Sequence, residues 1–192
     1  MKKIILTALA VCAISFANAQ ESKVYLGVSV GVAFPGGDGS ESLNGAGLNL
    51  GLINFGYRFS KSWGATLNLT SSGFAYKDID GAAFGVGAFS VGPMYALSLG
   101  KTMSLDLKPQ YAFSIAGKAK GLGVDNATAK GAGFVAGSSL NFGISKGFKF
   151  SINIDYTTGK FKEVEIGGET LKLDSDNKIN SLALGAGLRY NF

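Results

Sequence analysis

Residues 181–192 read Ser181-Leu182-Ala183-Leu184-Gly185-Ala186-Gly187-Leu188-Arg189-Tyr190-Asn191-Phe192, and their reading decides the fold. The even positions carry Leu182, Leu184, Ala186, Leu188, Tyr190 and Phe192; the odd ones carry only small or polar residues. A period of two puts the first set on one face of a β-strand and the second on the other. The segment finishes on an aromatic residue, with Tyr190 two positions earlier on the same face.

The same alternation recurs upstream, giving eight expected strands in all. Lys23 to Phe34 sets Val24, Leu26, Val28, Val30, Val32 and Phe34 against Lys23, Tyr25, Gly27, Ser29, Gly31 and Ala33. Ala46 to Phe59 begins with Leu48, Leu50 and Leu52 in phase and ends with Ile53, Phe55, Tyr57 and Phe59 in the opposite phase, which predicts a β-bulge. Trp63 to Ser72 aligns Trp63, Ala65, Leu67 and Leu69. Ala83 to Leu99 reads as slipping near Ala88, after which Phe89, Val91, Tyr95, Leu97 and Leu99 align. Met103 to Ile115 alternates throughout, with Ile115 on the apolar face and Ser114 on the polar one. Phe134 to Ile144, Phe148 to Tyr156 and the terminal strand complete the set. Pro93 and Pro109 cannot donate to a sheet ladder, so a local bulge is expected at each.

The connections alternate in length. Ser60-Lys61-Ser62, Gly100-Lys101-Thr102 and Ser145-Lys146-Gly147 are short, and their lysines recur at spacings of 40 and 45 residues, a weak hairpin-sized repeat. Longer polar loops are expected at Pro35 to Gly45, Gly73 to Gly81, Ala116 to Gly131 and Thr157 to Asn180. Short turns on one side and long loops on the other match an all-β, eight-stranded antiparallel up-and-down transmembrane β-barrel with both termini in the periplasm.

The other end of the chain agrees. Lys2 and Lys3, an apolar run of 13 residues from Ile4 to Phe16, and Ala17-Asn18-Ala19 form an expected cleaved signal peptide over 1–19, with the barrel domain at 20–192. The run is shorter than the about 20 residues of a spanning helix. Val11 is too bulky before Cys12 for a lipoprotein site. Cys12 is the only cysteine, so the mature chain has neither disulfide nor thiolate. Its formal charge, about +3 once Lys2 and Lys3 are removed, is too mild and scattered for a nucleic-acid partner.

Alternation alone does not separate a membrane barrel from a soluble lipocalin-like ligand-binding barrel. The polar faces do: they are dominated by Gly, Ser, Ala and Asn, which suit the crowded interior of eight strands rather than a solvated exterior. Two aromatic bands are also expected. Tyr57, Phe59, Trp63, Phe148, Tyr190 and Phe192 adjoin the short turns, and Phe34, Phe74, Tyr76 and Phe84 adjoin the long loops.

With its signal, eight alternating strands and terminal Phe192, the chain resembles the small Gram-negative outer-membrane β-barrel domain family, including the outer-membrane protein X-like group. The resemblance implies a barrel in the outer membrane, with outer-membrane lipid and the barrel-insertion machinery as partners. It also implies that Leu188, Tyr190 and Phe192 form the assembly signal which that machinery reads. The chain is expected to end with its barrel and to carry no peptidoglycan-binding domain.

Enzymatic outer-membrane barrels of the palmitoyltransferase, phospholipase and omptin types use a histidine, and this chain has none, so no enzymatic activity is expected. Gly100-Lys101-Thr102 fails as a phosphate-binding loop because Tyr95 stands where the earlier glycine is required. Asp174-Ser175-Asp176-Asn177 starts like a calcium loop, but Lys178 takes the next ligand position, and Glu163, Glu165 and Glu169 read as a solvated acidic loop. No cofactor or metal is expected. Arg58, Asp106, Lys108, Lys149, Asp155 and Arg189 fall on polar faces, where they would pair as a structural plug across the lumen or line a narrow selective pore. The expectation is a monomeric non-enzymatic barrel serving envelope integrity or loop-mediated adhesion. The alternatives are a narrow porin or transporter for small solutes or apolar molecules, and the lipocalin-like barrel.

Overall fold

The computed structural model describes residues 23–121, 127–166 and 169–192, with side chains at 174–176 excepted. The signal segment 1–19 lies outside the described residues. Eight antiparallel strands close into a barrel in sequence order: β1 (Val24–Gly37), β2 (Gly47–Arg58), β3 (Trp63–Ala75), β4 (Ala83–Ser98), β5 (Met103–Lys120), β6 (Thr128–Gly143), β7 (Phe148–Ile166) and β8 (Glu169–Asn191). A 3-10 turn at Ser40–Ser42 follows β1. The terminal strand closes on β1 in unbroken register, from Tyr25 opposite Asn191 to Gly37 opposite Ile179. The three short turns hold the strands at one end. In the third, Gly147 has φ 89°, and the Ile144 amide donates to the Phe148 carbonyl at 3.0 Å.

Through the middle of the barrel, alternation sorts the side chains as expected. Leu26, Val28, Val30, Val32 and Phe34 face outward from β1, and Leu184, Leu188, Tyr190 and Phe192 from the C-terminal end, all exposed. Val24 departs from its face-mates in being buried. The bulge expected in β2 is present: the pairing with β3 shifts between Gly51 and Ile53, so Leu52 and Ile53 both face outward.

Three expectations about the central strands are corrected. β4 does not slip near Ala88, because its register with β3 is continuous from Trp63–Tyr95 to Ala75–Ala83. The impression of a slip came from Phe84 and Val86, apolar residues that face inward in phase with the buried Ala88, Ser90 and Met94. The irregularity lies instead in β5, where the pairings with both neighbours shift between Ala112 and Ile115. Phe113 and Ser114 therefore both face outward, and Ile115, expected outside, is turned inward to 1% exposure. Neither proline makes a bulge. Val91 pairs with Tyr111 and Tyr95 with Leu107 in the same register, so Pro93 and Pro109 lie opposite each other and interrupt the ladder without displacing it.

The strands also run further than expected at the long-loop end. Thr157 to Asn180 is mostly strand, since β7 continues to Ile166 and pairs back onto a β8 that begins at Glu169. Glu163 and Glu165 are accordingly cross-strand partners on β7 rather than parts of a loop, and Lys130 of β6 donates to Glu165. The Asp174–Asn177 backbone lies in β8, but the side chains at 174–176 are outside those described.

In this upper part the polarity of the two faces exchanges. Lys118, Lys120, Lys130, Lys160 and Lys178 are exposed on the outside, whereas Phe74, Phe161 and Ile179 are buried inside. The long-loop aromatic band changes membership for the same reason. Phe34 is in it, but Phe74, Tyr76 and Phe84 pack inside the barrel mouth, and the outward aromatics at this level are Tyr111, Phe113, Phe134 and Tyr156. Tyr111 and Phe134 meet edge to face at 5.4 Å between ring centroids. At the short-turn end Tyr57, Phe59, Trp63, Phe148, Tyr190 and Phe192 are all exposed, as expected. Tyr190 sits edge-on between Phe148 and Phe192, at 4.8 and 5.0 Å.

On β5, Leu107 faces outward at 40% exposure and Ser104 faces inward at 8%. Leu107→Arg should cost about 2 to 4 kcal/mol at mid-membrane depth, and Ser104→Ala well under that. Denaturant titration of the vesicle-reconstituted barrel reads both; equal losses would refute the assignment of the two faces.

Candidate functional site

The lumen has three levels, set by which inward residues the register brings together. At the short-turn end it is filled by an ionic plug around Asp106, which is fully buried. Asp106 accepts from Arg58 at 2.9 Å through Oδ1 and from Arg189 at 2.5 Å through Oδ2, and Asn141 Nδ2 adds a donor at 3.2 Å. One carboxylate thus holds two guanidiniums from β2 and β8. The Arg189 guanidinium also lies over the Tyr25 ring, 4.0 Å from its centroid. Tyr25 reaches across the barrel, with its hydroxyl 3.4 Å from Thr66 Oγ1 and from Met94 Sδ. Its ring passes so close to Gly56 that a β-carbon there would overlap it.

Above the triad, Lys108 is 1% exposed and donates to Ser139 Oγ at 2.7 Å, and Ser139 donates in turn to Asn153 Oδ1 at 2.6 Å. Asp155 stands next to Lys108 over Gly137, where a β-carbon would collide with its Oδ1. Lys149 lies at the short-turn mouth, half-buried, with no ion pair among the described residues. Of the six charges expected in the lumen, the structure joins Arg58, Asp106 and Arg189 directly. Lys108 and Asp155 lie one level higher, and Lys149 stands apart.

Apart from Lys108 and Asp155, the middle level is neutral and polar. Asn68 Nδ2 donates to Gln110 Oε1 at 3.0 Å, Ser90 Oγ donates to the same oxygen at 3.3 Å, and Asn49 Nδ2 donates to Ser72 Oγ at 2.9 Å. These groups and Asp155 border a small cavity of about 30 Å³, room for a few waters.

The uppermost level is an apolar cup of about 270 Å³. Its walls include Leu43, Phe74, Phe84, Val86, Phe161 and Ile179. Below it the cluster of Ala88, Ala112, Ile115, Val135, Phe161 and Ile179 closes the bore. One wall is the segment after the 3-10 turn, stitched to the β3–β4 connection: the Asn44 amide donates to the Ala75 carbonyl at 2.8 Å and the Lys77 amide to Ser42 at 3.0 Å. Asp38 Oδ2 accepts the Lys178 amide at 2.8 Å on the opposite side.

Reading charges alone missed most of this. Tyr25, Thr66, Met94 and Asn141 were already on inward phases of their strands, and counting large as well as charged residues there would have found the plug. The cup was hidden because Phe84, Val86 and Ile179 are apolar on the inward phase, which in mid-membrane carries polar residues.

A closed antiparallel barrel with a broad apolar exterior, two aromatic bands and a packed polar lumen defines a transmembrane β-barrel protein of the outer-membrane type. Residues 4–192 match the outer membrane protein beta-barrel domain family, and the chain belongs to that family. It is thus an outer-membrane protein, and the lipocalin-like alternative is set aside. No curated protein matches it significantly by sequence. Among solved structures, Neisserial surface protein A is similar at 13% identity and a TM-score of 0.62, over 91% of this chain and 100% of that one. OprG from Pseudomonas aeruginosa is similar at 14% identity and a TM-score of 0.50, over 90% and 98%. The outer membrane protease OmpT from Escherichia coli is similar at 8% identity and a TM-score of 0.50, over 93% and 100%. At such identities these likenesses speak for the fold alone.

Removing the shared acceptor of a buried triad leaves two guanidiniums uncompensated. Asp106→Ala should destabilise the barrel by about 3 to 5 kcal/mol. Guanidinium unfolding followed through Trp63 fluorescence measures this, and a loss below about 1 kcal/mol would mean that the triad behaves as a solvated pair.

Proposed function

We propose that this protein is a monomeric, non-enzymatic and non-conducting outer-membrane barrel that acts through its extracellular end, in envelope integrity or in adhesion. Both termini lie in the periplasm in this reading, and residues 1–19 are removed on export. The observation that carries it is the plug: Tyr25, Met94, Asp106, Lys108 and Asn141 are all buried across the bore. A narrow solute path would need water-filled space at that level, whereas Arg58, Asp106 and Arg189 pair with one another there and Lys108 is held by Ser139. The absence of histidine from the sequence supports the non-enzymatic part. The long upper strands, held together by cross-strand pairs such as Lys130 with Glu165, support a display role. The partner displayed to, beyond outer-membrane lipid, is left open.

Planar-bilayer recording tests the reading. The wild-type barrel should show no stable conductance steps, while Tyr25→Ala combined with Met94→Ala should create measurable ones by removing the largest uncharged parts of the plug. Steady ion steps from the wild type would overturn the plugged reading in favour of the narrow pore.

Assembly is tested separately. Leu188, Tyr190 and Phe192 lie on the outer face of the closing strand, where the insertion machinery would read them. Deleting Phe192 should leave export intact but lower outer-membrane yield, with unfolded chain collecting in the periplasm because its apolar face and strand edge remain uncovered. Fractionation at low expression, together with the faster gel migration of the unheated barrel, gives the answer. Full yield without Phe192 would reduce this residue to a member of the aromatic band.

A further inference from the structure

The apolar cup at the long-loop mouth has no part in the plug, and the closed-barrel reading holds whether or not the cup is ever filled. Its shape calls for an occupant all the same. Concave, largely preformed apolar pockets with a few polar groups at the rim are the usual form of small-molecule sites. This one has about 270 Å³, against the roughly 150 Å³ of a cavity that takes up benzene. Its walls are ordered before any ligand arrives, by the backbone bonds from Asn44 to Ala75, from Lys77 to Ser42 and from Asp38 to Lys178, so binding would cost little in ordering.

The charge distribution selects the ligand class. Lys178 borders the cup through its backbone, but it alternates with the buried Ile179 and so presents its ammonium to the outside. Lys118, Lys120 and Lys130 are likewise on the outer face. Asp38, the anionic residue among the described residues that line the cup, is engaged by a backbone amide. Among the described residues no cation is therefore available inside to neutralise an acid, and burying an unpaired carboxylate is costly. Phe74, Phe84 and Phe161 offer ring faces and edges, Asn177 offers hydrogen bonds at the edge, and Ser181 offers one at the floor.

We propose that this cup is a binding site for a small uncharged hydrophobic molecule of about one to two rings, taken up from the long-loop side and held above the sealed bore.

Methyl-resolved NMR of the full barrel in lipid nanodiscs tests it, with p-xylene as the neutral probe and p-toluate as its anionic counterpart. Inward methyls of Leu43, Val86 and Ile179 should shift with p-xylene and saturate. Outward methyls of Val28 and Leu184, which report simple partition into lipid, should change only linearly. The toluate should bind about tenfold more weakly or worse. Ala129→Trp, which fills the cup from β6, should abolish saturation, and Val86→Phe should weaken it; heat-modifiable migration shows that each variant is folded. Unsaturable shifts at the inward methyls, saturation unaffected by both folded variants, or equal affinity for the toluate would each overturn the proposal. None of these outcomes bears on conductance, so the cup and the plugged bore stand or fall separately.

Discussion

Every other feature of this protein depends on the pairing of β8 with β1. Hydrocarbon offers no hydrogen-bond partner, so an unpaired strand edge within a bilayer costs several kcal/mol per exposed group. The register from Tyr25–Asn191 to Gly37–Ile179 removes both edges at once. It also fixes which side chains face each other across the bore. Arg189 of β8 is brought over the ring of Tyr25 of β1, and its guanidinium reaches Asp106 of β5 on the far wall. Closure and plug are therefore one event: the strand that seals the sheet also delivers the second guanidinium to the buried carboxylate.

A plug made of ions is a costly way to fill space. The desolvation of Asp106, Arg58 and Arg189 offsets much of their mutual attraction, and an apolar filling of equal volume could be as stable. An ionic triad differs in what it penalises. A one-residue slip of β8 would turn Arg189 into lipid and leave Asp106 with Arg58 as its one remaining ion-pair partner, so the alternative register is disfavoured at both faces. In that respect the triad secures the closure as much as it occupies the bore.

The mid-membrane half of the fold was open to reading because two constraints act there together, pleat and lipid. Residues such as Leu105 and Leu107 alternate with Asp106 and Lys108 without exception, and the faces follow. The bulge in β2 was visible because two apolar series change phase at Leu52 and Ile53. The bulge in β5 was not, since Phe113, Ser114 and Ile115 keep an unbroken alternation on paper, and only the partners' registers reveal the extra residue. Proline was over-read for a related reason. Losing the donor of Pro93 opposite that of Pro109 silences the same rung from both sides, which costs less distortion than two separate interruptions. As for the site, the charged members of the plug were legible as inward charges, but their pairing was not. Alternation gives the face of a residue and leaves its height and cross-barrel partner to the register.

The upper half was misread as loop because the strands there obey the opposite rule. Below the outer aromatic band the exterior solvent is lipid, and apolar side chains point out; above it the exterior is water, and the pattern Lys160-Phe161 or Lys178-Ile179 points its apolar member in. A single strand such as β7 thus changes from an inside-out to an ordinary barrel wall along its length while keeping its alternation. Near the change, the irregular pairings of β5, of β6 with β7, and of β7 with β8 let the strands adjust phase. The inverted section buries an apolar interior as any soluble barrel does, but eight strands around Phe74, Phe84 and Phe161 leave that interior incompletely filled at its open end. The cup is the physical consequence: an unfilled soluble-type core mounted on a membrane-type barrel whose own core is closed by charge.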